Sequence, residues 1–279
     1  MSTTTLTLDV DLTNPGQFLA CCGLLELASR VDSCACGFFN ENTFIIESAC
    51  AKSLRKILFN TSCVLDFDPR KKERIQYLKK KRARSDAEKM ELKLLEQEER
   101  VAPLVLKIGD AALILDWWKD ESVKEAGFKT WSGAQTPKPI IDGMLEHIRT
   151  IDDSESLWKA MPILKPKPFY YDSRMSRLTA IDSGFSTKGF VITFSPAVEL
   201  LALVSLQRFR PSTISGREYY GFATWSEPLS ISVAAAVMHG LVPVLESARY
   251  RFPLVVRTGG KYKAFGPALK ERTNNARIT

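Results

Sequence analysis

A strand, a helix cap and a helix that starts with proline occur twice in this chain, and this repeated order constrains the fold most strongly. Apolar and polar residues alternate over residues 6–12, which is the period of a half-buried strand. Asn14 and Pro15 follow. Because Asn is a preferred N-cap and Pro fits the first helical turn, the sequence predicts a helix over residues 15–30.

The same order returns in the second half of the chain. Residues 189–194 read as a strand, Ser195 and Pro196 as a cap, and residues 197–209 as a helix. The two helices also share the order of a Leu-Ala pair, a later Leu and an Arg, with small slips in register. We therefore predict an α+β fold with two related strand-helix-strand halves.

A Thr-Trp-Ser triplet follows each of these units. Trp131 precedes a predicted helix over 140–148, and Trp225 precedes one over 231–238. The common order indicates an ancient duplication. Short apolar helices after a proline also resemble one another without common origin, so the sequence leaves both explanations open.

Charge is concentrated in one block of this 279-residue chain, whose net charge is +7. Residues 70–84 hold nine bases and one acid, whereas residues 86–99 hold six acids and two bases. A sparse apolar stripe runs through both, which predicts a charged helical hairpin inserted at about 69–102.

This insertion has two interpretations. It is either a solvated helical segment laced with i,i+4 ion pairs, or a basic arm that lies along a phosphate backbone and gains affinity by releasing counterions. The second interpretation makes five residues candidates for nucleic-acid contact: Lys79, Lys80, Lys81, Arg82 and Arg84.

The predicted domain organisation follows from the duplication. Residues 1–160 form an N-terminal α+β half that contains the insertion, and residues 161–257 form a C-terminal α+β half. Residues 258–279 are basic with few apolar side chains, which predicts a flexible tail.

Several protein classes are excluded by composition. No apolar run is long enough to cross a bilayer and the N-terminus lacks the pattern of a signal peptide, so we expect a cytoplasmic protein that does not engage a membrane. All six cysteines precede residue 64, with spacings that do not suit zinc, so reduced and mostly buried thiols are expected. No metal or cofactor is predicted.

The sequence offers little support for catalysis. The chain has no phosphate-binding loop, nucleophile elbow or HExxH motif. Its only histidines, His147 and His239, are expected to be structural, because a general base needs a positioned partner that the sequence does not show. We predict a protein that is not an enzyme.

Nucleic-acid binding is better supported. Arg208 and Arg210 flank Phe209 at the end of the second helix, and Arg217 follows in a short loop. Interleaved arginine and aromatic residues suit phosphate contacts and base stacking. The alternative is that Phe209 belongs to the core and the arginines cap helix carbonyls. A second, weaker mixture of aromatic and basic residues adds Arg174 and Arg177.

Five segments, in the same order along the chain, resemble a known family: residues 14–28, 182–186, 196–203, 206–211 and 224–225. They are similar to the short large-subunit-like proteins of type I-U (also called I-G) CRISPR effector complexes. The resemblance runs from residue 8 to about residue 245 and leaves the charged insertion and the tail uncovered.

The resemblance implies a subunit of a guide-RNA surveillance complex of the Cascade kind. Its expected partners are guide RNA, target double-stranded DNA, other Cascade subunits and the helicase-nuclease. The large subunit in such complexes contacts the motif that flanks the target (the PAM), assists duplex opening and helps recruit the nuclease, while base pairing reads the sequence.

Two other functions remain open at this point. A metal-independent endoribonuclease that processes guide RNA requires His147 or His239 beside the scissile phosphate. A non-enzymatic scaffold would use the charged helix to bind a protein and would have negligible affinity for nucleic acid at physiological salt.

Overall fold

The structure is a computed structural model in which the chain is described over several ranges: residues 4–49, 58–119, 127–131, 135–151, 158–164, 167–174, 191–214, 219–242, 248–256 and 263–271. Helices and small antiparallel sheets are mixed along these ranges, which confirms the predicted α+β class.

The helices of the described ranges are α1 (Pro15–Val31), α2 (Pro69–Lys80), α3 (Asp86–Val101), α4 (Pro137–Arg149), α5 (Pro196–Ser205) and α6 (Ile231–Met238), with a 3₁₀ turn at Trp117–Lys119. Helices α2 and α3 pack against each other and form the predicted charged hairpin.

The strands are β1 (Thr4–Asp9), β2 (Cys36–Asn40), β3 (Thr43–Ser48), β4 (Ser62–Leu65), β5 (Leu104–Ile108), β6 (Ala111–Leu115), β7 (Met161–Leu164), β8 (Val191–Phe194), β9 (Ser212–Ile214), β10 (Tyr219–Ala223), β11 (Leu229–Ser230), β12 (Arg249–Val256), β13 (Lys263–Phe265) and β14 (Leu269–Lys270). They pair in the orders β1-β3-β2-β11, β13-β12-β10-β9 with β14 on β12, β4-β5-β6, and β7-β8.

Both predicted caps are present. The Asn14 side chain accepts a hydrogen bond from the Gly16 N–H at 3.1 Å, and the Ser195 hydroxyl accepts one from the Val198 N–H at 3.1 Å. The predicted end of α5 at residue 209 is wrong, because the N–H groups of Gln207 and Arg208 bond to carbonyls three residues back, those of Val204 and Ser205, and not four. The helix therefore closes in a tight turn four residues early.

Helices α1 and α5 lie at the centre of the fold and pack against each other. Every residue of α5 is buried, as are residues 15–28 of α1, and a helix that is apolar all round belongs in a core. The two backbones approach closely at Gly23, where an added Cβ would lie 2.8 Å from the carbonyl carbon of Leu201. No side chain larger than hydrogen fits between these two backbones.

Aromatic side chains fill the space around the central helices. The Phe18 and Phe222 rings stack at 4.0 Å, and the Trp225 indole N–H donates to the Gly37 carbonyl at 2.7 Å. Trp117, Trp118 and Trp131 are buried and meet edge to face. All of these aromatic groups therefore serve packing.

Residues from both predicted halves share one hydrophobic core. Strand β11 of the second half completes the sheet begun by β1, β2 and β3. The boundary between residues 160 and 161 stays a prediction.

The predicted flexible tail is wrong in part. Strands β13 and β14 both pair with β12, and the Phe265 side chain is fully buried. Residues 263–271 are therefore folded, because a single buried aromatic and two short pairings outweigh their basic composition. Residues 272–279 lie outside the described residues.

Candidate nucleic-acid interface

The helical hairpin is built by strong local signals at both of its helix starts. Asp68 caps α2 before a proline, and Ser85 and Glu88 form a reciprocal capping box at the start of α3. Ile75 and Leu78 of α2 are buried, whereas α3 has no buried residue. The hairpin thus has a thin apolar seam and wide charged faces.

Ion pairs link the two helices across the hairpin. The Arg74 guanidinium donates two hydrogen bonds to the Glu91 carboxylate, at 2.8 and 2.7 Å. Three lysines of α2 and its C-terminal turn pair in the same way with carboxylates of α3: Lys71 with Glu98, Lys79 with Glu96, and Lys81 with Glu88. The expected ion pairs therefore exist, but most of them join neighbouring helices.

Two of these ion pairs shift the pKa values of their members in the direction that favours the charged forms. The hydrogen bond from Arg74 lowers the pKa of Glu91, and the hydrogen bond from Lys81 lowers the pKa of Glu88. All four side chains are solvated, so these pairs add little to stability. The larger effect is that Lys79 and Lys81 are already neutralised.

Within the described ranges, four cations of α2 and the turn after it have no such partner, and neither does Lys93 of α3. Within the described part of the chain, Arg70, Lys72, Lys80 and Arg82 make no ion pair. Arg84 is used differently, since its guanidinium donates to the carbonyls of Leu78 and Lys79 at the end of α2. Of the five candidates predicted here, Lys80 and Arg82 keep an unmatched charge.

Arg208 pairs with a buried carboxylate that the sequence analysis missed. Glu26 of α1 is only 1% exposed and binds the Arg208 Nε at 2.7 Å and the Arg30 Nη2 at 2.5 Å through its two oxygens. Both guanidiniums keep 37% of their side-chain surface exposed. One negative charge between two cations leaves this cluster with a net charge of +1.

Phe209 lies in the core and Arg210 caps a helix carbonyl, an arrangement that needs no ligand. Phe209 is fully buried, and the Arg210 Nε donates to the Leu206 carbonyl at 3.1 Å near the end of α5. This matches the alternative of a core aromatic and a capping arginine. Arg217, the other candidate of this region, lies outside the described residues.

Arg174 is engaged with a buried acid. Its guanidinium Nε lies 2.8 Å from Oδ1 of Asp172, a fully buried side chain, and its Nη2 bonds the other oxygen. The Asn14 amide also donates to Asp172, at 2.8 Å. Arg174 therefore neutralises a buried charge next to the start of α1. Arg177 lies outside the described residues.

A second buried acid lies beside this group. Both oxygens of Glu199, in the first turn of α5, accept backbone hydrogen bonds, from Phe169 at 2.7 Å and from Asp172 at 2.6 Å. Burial, reinforced by the nearby Asp172 charge, raises the pKa of Glu199 to about 8. The sequence feature that could have indicated this buried acid is that Glu199 is a single acid in an otherwise apolar helix.

Other chemistry is sparse in the described ranges. They contain no group of three or more His, Cys, Asp or Glu side chains placed to hold a metal ion. The half-buried His239 ring lies 3.4 Å from the Arg208 carbonyl. Within the same ranges no helix has the length and apolar character needed to cross a membrane.

The described cysteines are unpaired thiols, three of them buried. Burial raises the pKa of the Cys21 and Cys22 thiols well above their usual value and that of Cys63 to about 12. Such thiols are protonated at neutral pH and are poor nucleophiles.

Arg208 and Arg210 can be tested together. If both contact phosphates, Arg208→Ala with Arg210→Ala is expected to lower the slope of log affinity against log salt by roughly one unit per contact. Arg30 still pairs with Glu26 in this variant, so the protein is expected to fold. Binding is measured by fluorescence anisotropy. An unchanged slope with an unchanged melting temperature would remove these two residues from the interface.

A scan against protein-family models and a search of curated proteins both give no match.

Proposed function

We propose that this protein is a non-catalytic nucleic-acid-binding subunit of a type I CRISPR guide-RNA surveillance complex. The proposal combines the family resemblance of the sequence with the charge distribution of the helical hairpin. Guide RNA and target double-stranded DNA are the proposed ligands, and no cofactor is required.

The unpaired cations of the hairpin are the observation that carries the proposal. Twelve bases and seven acids lie between residues 70 and 101, so the hairpin holds most of the net charge of the chain. The acids of α3 neutralise part of α2 and leave Arg70, Lys72, Lys80 and Arg82 without a partner among the described residues. Unmatched cations bind phosphates with release of counterions and no loss of an existing ion pair.

The geometry of α2 suits an extended phosphate backbone. Lys72 and Lys80 are eight residues apart, which places them on one side of the helix about 12 Å apart along its axis. Arg82 follows in the turn that joins the two helices. These charges therefore form a line from the body of α2 to the tip of the hairpin.

A subunit also needs surfaces for other proteins. Met90 and Leu94 lie one turn apart on α3 and are 58% and 59% exposed, and Val101 continues the same side. An apolar stripe beside charged residues is typical of a protein contact. Its presence on the hairpin favours a component of an assembly.

By resemblance, the role within the assembly is that of the large subunit. It contacts the PAM, assists opening of the duplex and helps recruit the helicase-nuclease, while the guide pairs with the target. A guanidinium such as that of Arg82 is suited to a guanine edge in the major groove.

The hairpin is tested by removing the unmatched charges of α2 and of the turn after it. In a variant with Arg70, Lys72, Lys80 and Arg82 all changed to Gln, the salt slope for a DNA duplex is expected to fall by about 3 to 4 units if each cation contacts a phosphate. Binding of a labelled 30-base-pair duplex is followed by anisotropy at several salt concentrations.

The matched control changes the four paired cations, Lys71, Arg74, Lys79 and Lys81, to Gln. Both variants lose the same net charge, but the control removes groups that are already neutralised. We expect the control to lower the slope by less than half as much. Equal slopes in the two variants, or a slope near zero for the wild type, would contradict the proposal.

A further inference from the structure

One face of the sheet formed by β9, β10, β12 and β14 carries the exposed side chains of Arg249 and Arg251. In the β10–β12 register, Gly221 lies opposite Arg251 and Ala223 opposite Arg249. The alternate residues Tyr220, Phe222 and Phe252 are buried in the core. Because side chains alternate along a strand, both arginines point away from the core, with Tyr219 on the same face.

The two arginines of this face carry unmatched charge. Neither Arg249 nor Arg251 makes an ion pair with a residue in the described ranges. Glu271 lies opposite Arg249 and donates its backbone N–H to the Arg249 carbonyl at 2.8 Å, but its carboxylate does not pair with the guanidinium. Arg174 and Arg208, in contrast, are held by buried carboxylates.

Flat and apolar groups surround these charges. The Arg251 guanidinium lies over the Tyr219 ring, 5.3 Å from its centroid. Leu269 of β14 pairs with Arg251 across the sheet and is 58% exposed. The side chain of Ile214 lies over Gly221, which has no Cβ to block it. The face thus combines a stacked aromatic-guanidinium pair with an apolar floor.

We infer that this face binds single-stranded nucleic acid, with Arg249 and Arg251 contacting phosphates and Tyr219 with Arg251 forming a platform for a base. The two arginines are about 6.8 Å apart along β12. A flat sheet with aromatic and guanidinium planes stacks unpaired bases, and cations beside it follow the backbone. A duplex hides its base faces and cannot use such a platform.

This inference rests on the proposed function and deepens it, since it assigns single strands to the sheet face and leaves the duplex to the hairpin. In a guide-RNA complex, single strands are the unpaired ends of the guide and the DNA strand displaced from the target.

The test compares two classes of ligand, single strands and a duplex, in two variants. Anisotropy titrations use a labelled 15-nucleotide oligo-dT, the same length of oligo-U, and a 30-base-pair duplex. In Arg249→Gln with Arg251→Gln, the single-strand salt slope is expected to fall by about 1.4 units and the duplex slope to stay unchanged. In Tyr219→Leu, single-strand affinity is expected to fall about tenfold with little change in slope.

The control variant is Lys107→Gln with Lys159→Gln, which removes two exposed charges elsewhere on the described surface. Melting temperatures of all variants establish that each one is folded. The inference is overturned if the sheet variant binds single strands like the control, or if its duplex binding falls equally. If the wild type binds neither ligand, the proposed function fails as well; if it binds only the duplex, the inference alone fails.

Discussion

Gly23→Ala is expected to lower the free energy of unfolding by about 2 kcal/mol or more. Alanine gains about 1 kcal/mol over glycine from helix propensity, but its Cβ would collide with the backbone of Leu201. A backbone carbonyl cannot rotate away as a side chain can. Helices α1 and α5 would therefore have to separate, which loosens the core around both. Urea unfolding followed by tryptophan fluorescence measures the change.

Gly143 provides the matched control. It lies in α4, and an added Cβ there would meet nothing within 4 Å. Gly143→Ala is therefore expected to raise the free energy of unfolding by about 0.5 to 1 kcal/mol. If Gly23→Ala raised the free energy of unfolding as Gly143→Ala does, the close packing of α1 on α5 would be contradicted.

Stability is expected to fall as the pH rises from about 5 to about 8, because of Glu199. Burial raises the pKa of this carboxyl from its usual 4.5 to about 8. In that interval the folded protein keeps a proton that the unfolded chain has released. The stabilisation is complete at acid pH and is lost as the pH passes the folded-state pKa, by up to about 1.4 kcal/mol per pH unit.

Glu199→Gln isolates this contribution from all other titrating groups. The amide cannot ionise, and its NH₂ faces one of the N–H donors of Phe169 and Asp172 that the carboxyl oxygens accept. The wild type is expected to be more stable than the variant by about 1 kcal/mol near pH 5 and less stable than the variant near pH 9. A constant or growing advantage would show that Glu199 is ionised in the folded protein.

The sequence was most informative where local chemistry decides the structure. The caps at Asn14 and Ser195 and the start of the hairpin at Pro69 depend on residues close in sequence. The α+β class followed from the repeated order of these elements. The burial of the tryptophans was also predictable, because large apolar side chains are rarely left in water.

Features set by tertiary contacts were not predictable. Nothing near Glu26 in the sequence indicates that Arg208, 182 residues away, will pair with it. Likewise, Phe265 is buried only because β12 is available to pair with β13. Composition alone therefore made residues 263–271 look like a tail.

The candidate site likewise combines features that the sequence predicted with features that depend on tertiary contacts. The basic block was visible in the sequence, but which of its cations are neutralised depends on the packing of α3 against α2. Lys79 and Lys81 find partners there, while Lys80, between them in sequence, faces away. Arg249 and Arg251 were overlooked because they join Tyr219 only through the pairing of β10 with β12.

The central claim is tested most directly by what the protein carries when it is isolated. A tagged copy is purified from cells that express its native neighbours, the bound RNA is sequenced and the co-purifying proteins are identified. We predict short RNAs with a constant repeat-derived end, together with a repeated backbone protein. Protein that emerges alone and free of RNA, from cells shown to make both components, would contradict the assignment to a guide-RNA complex.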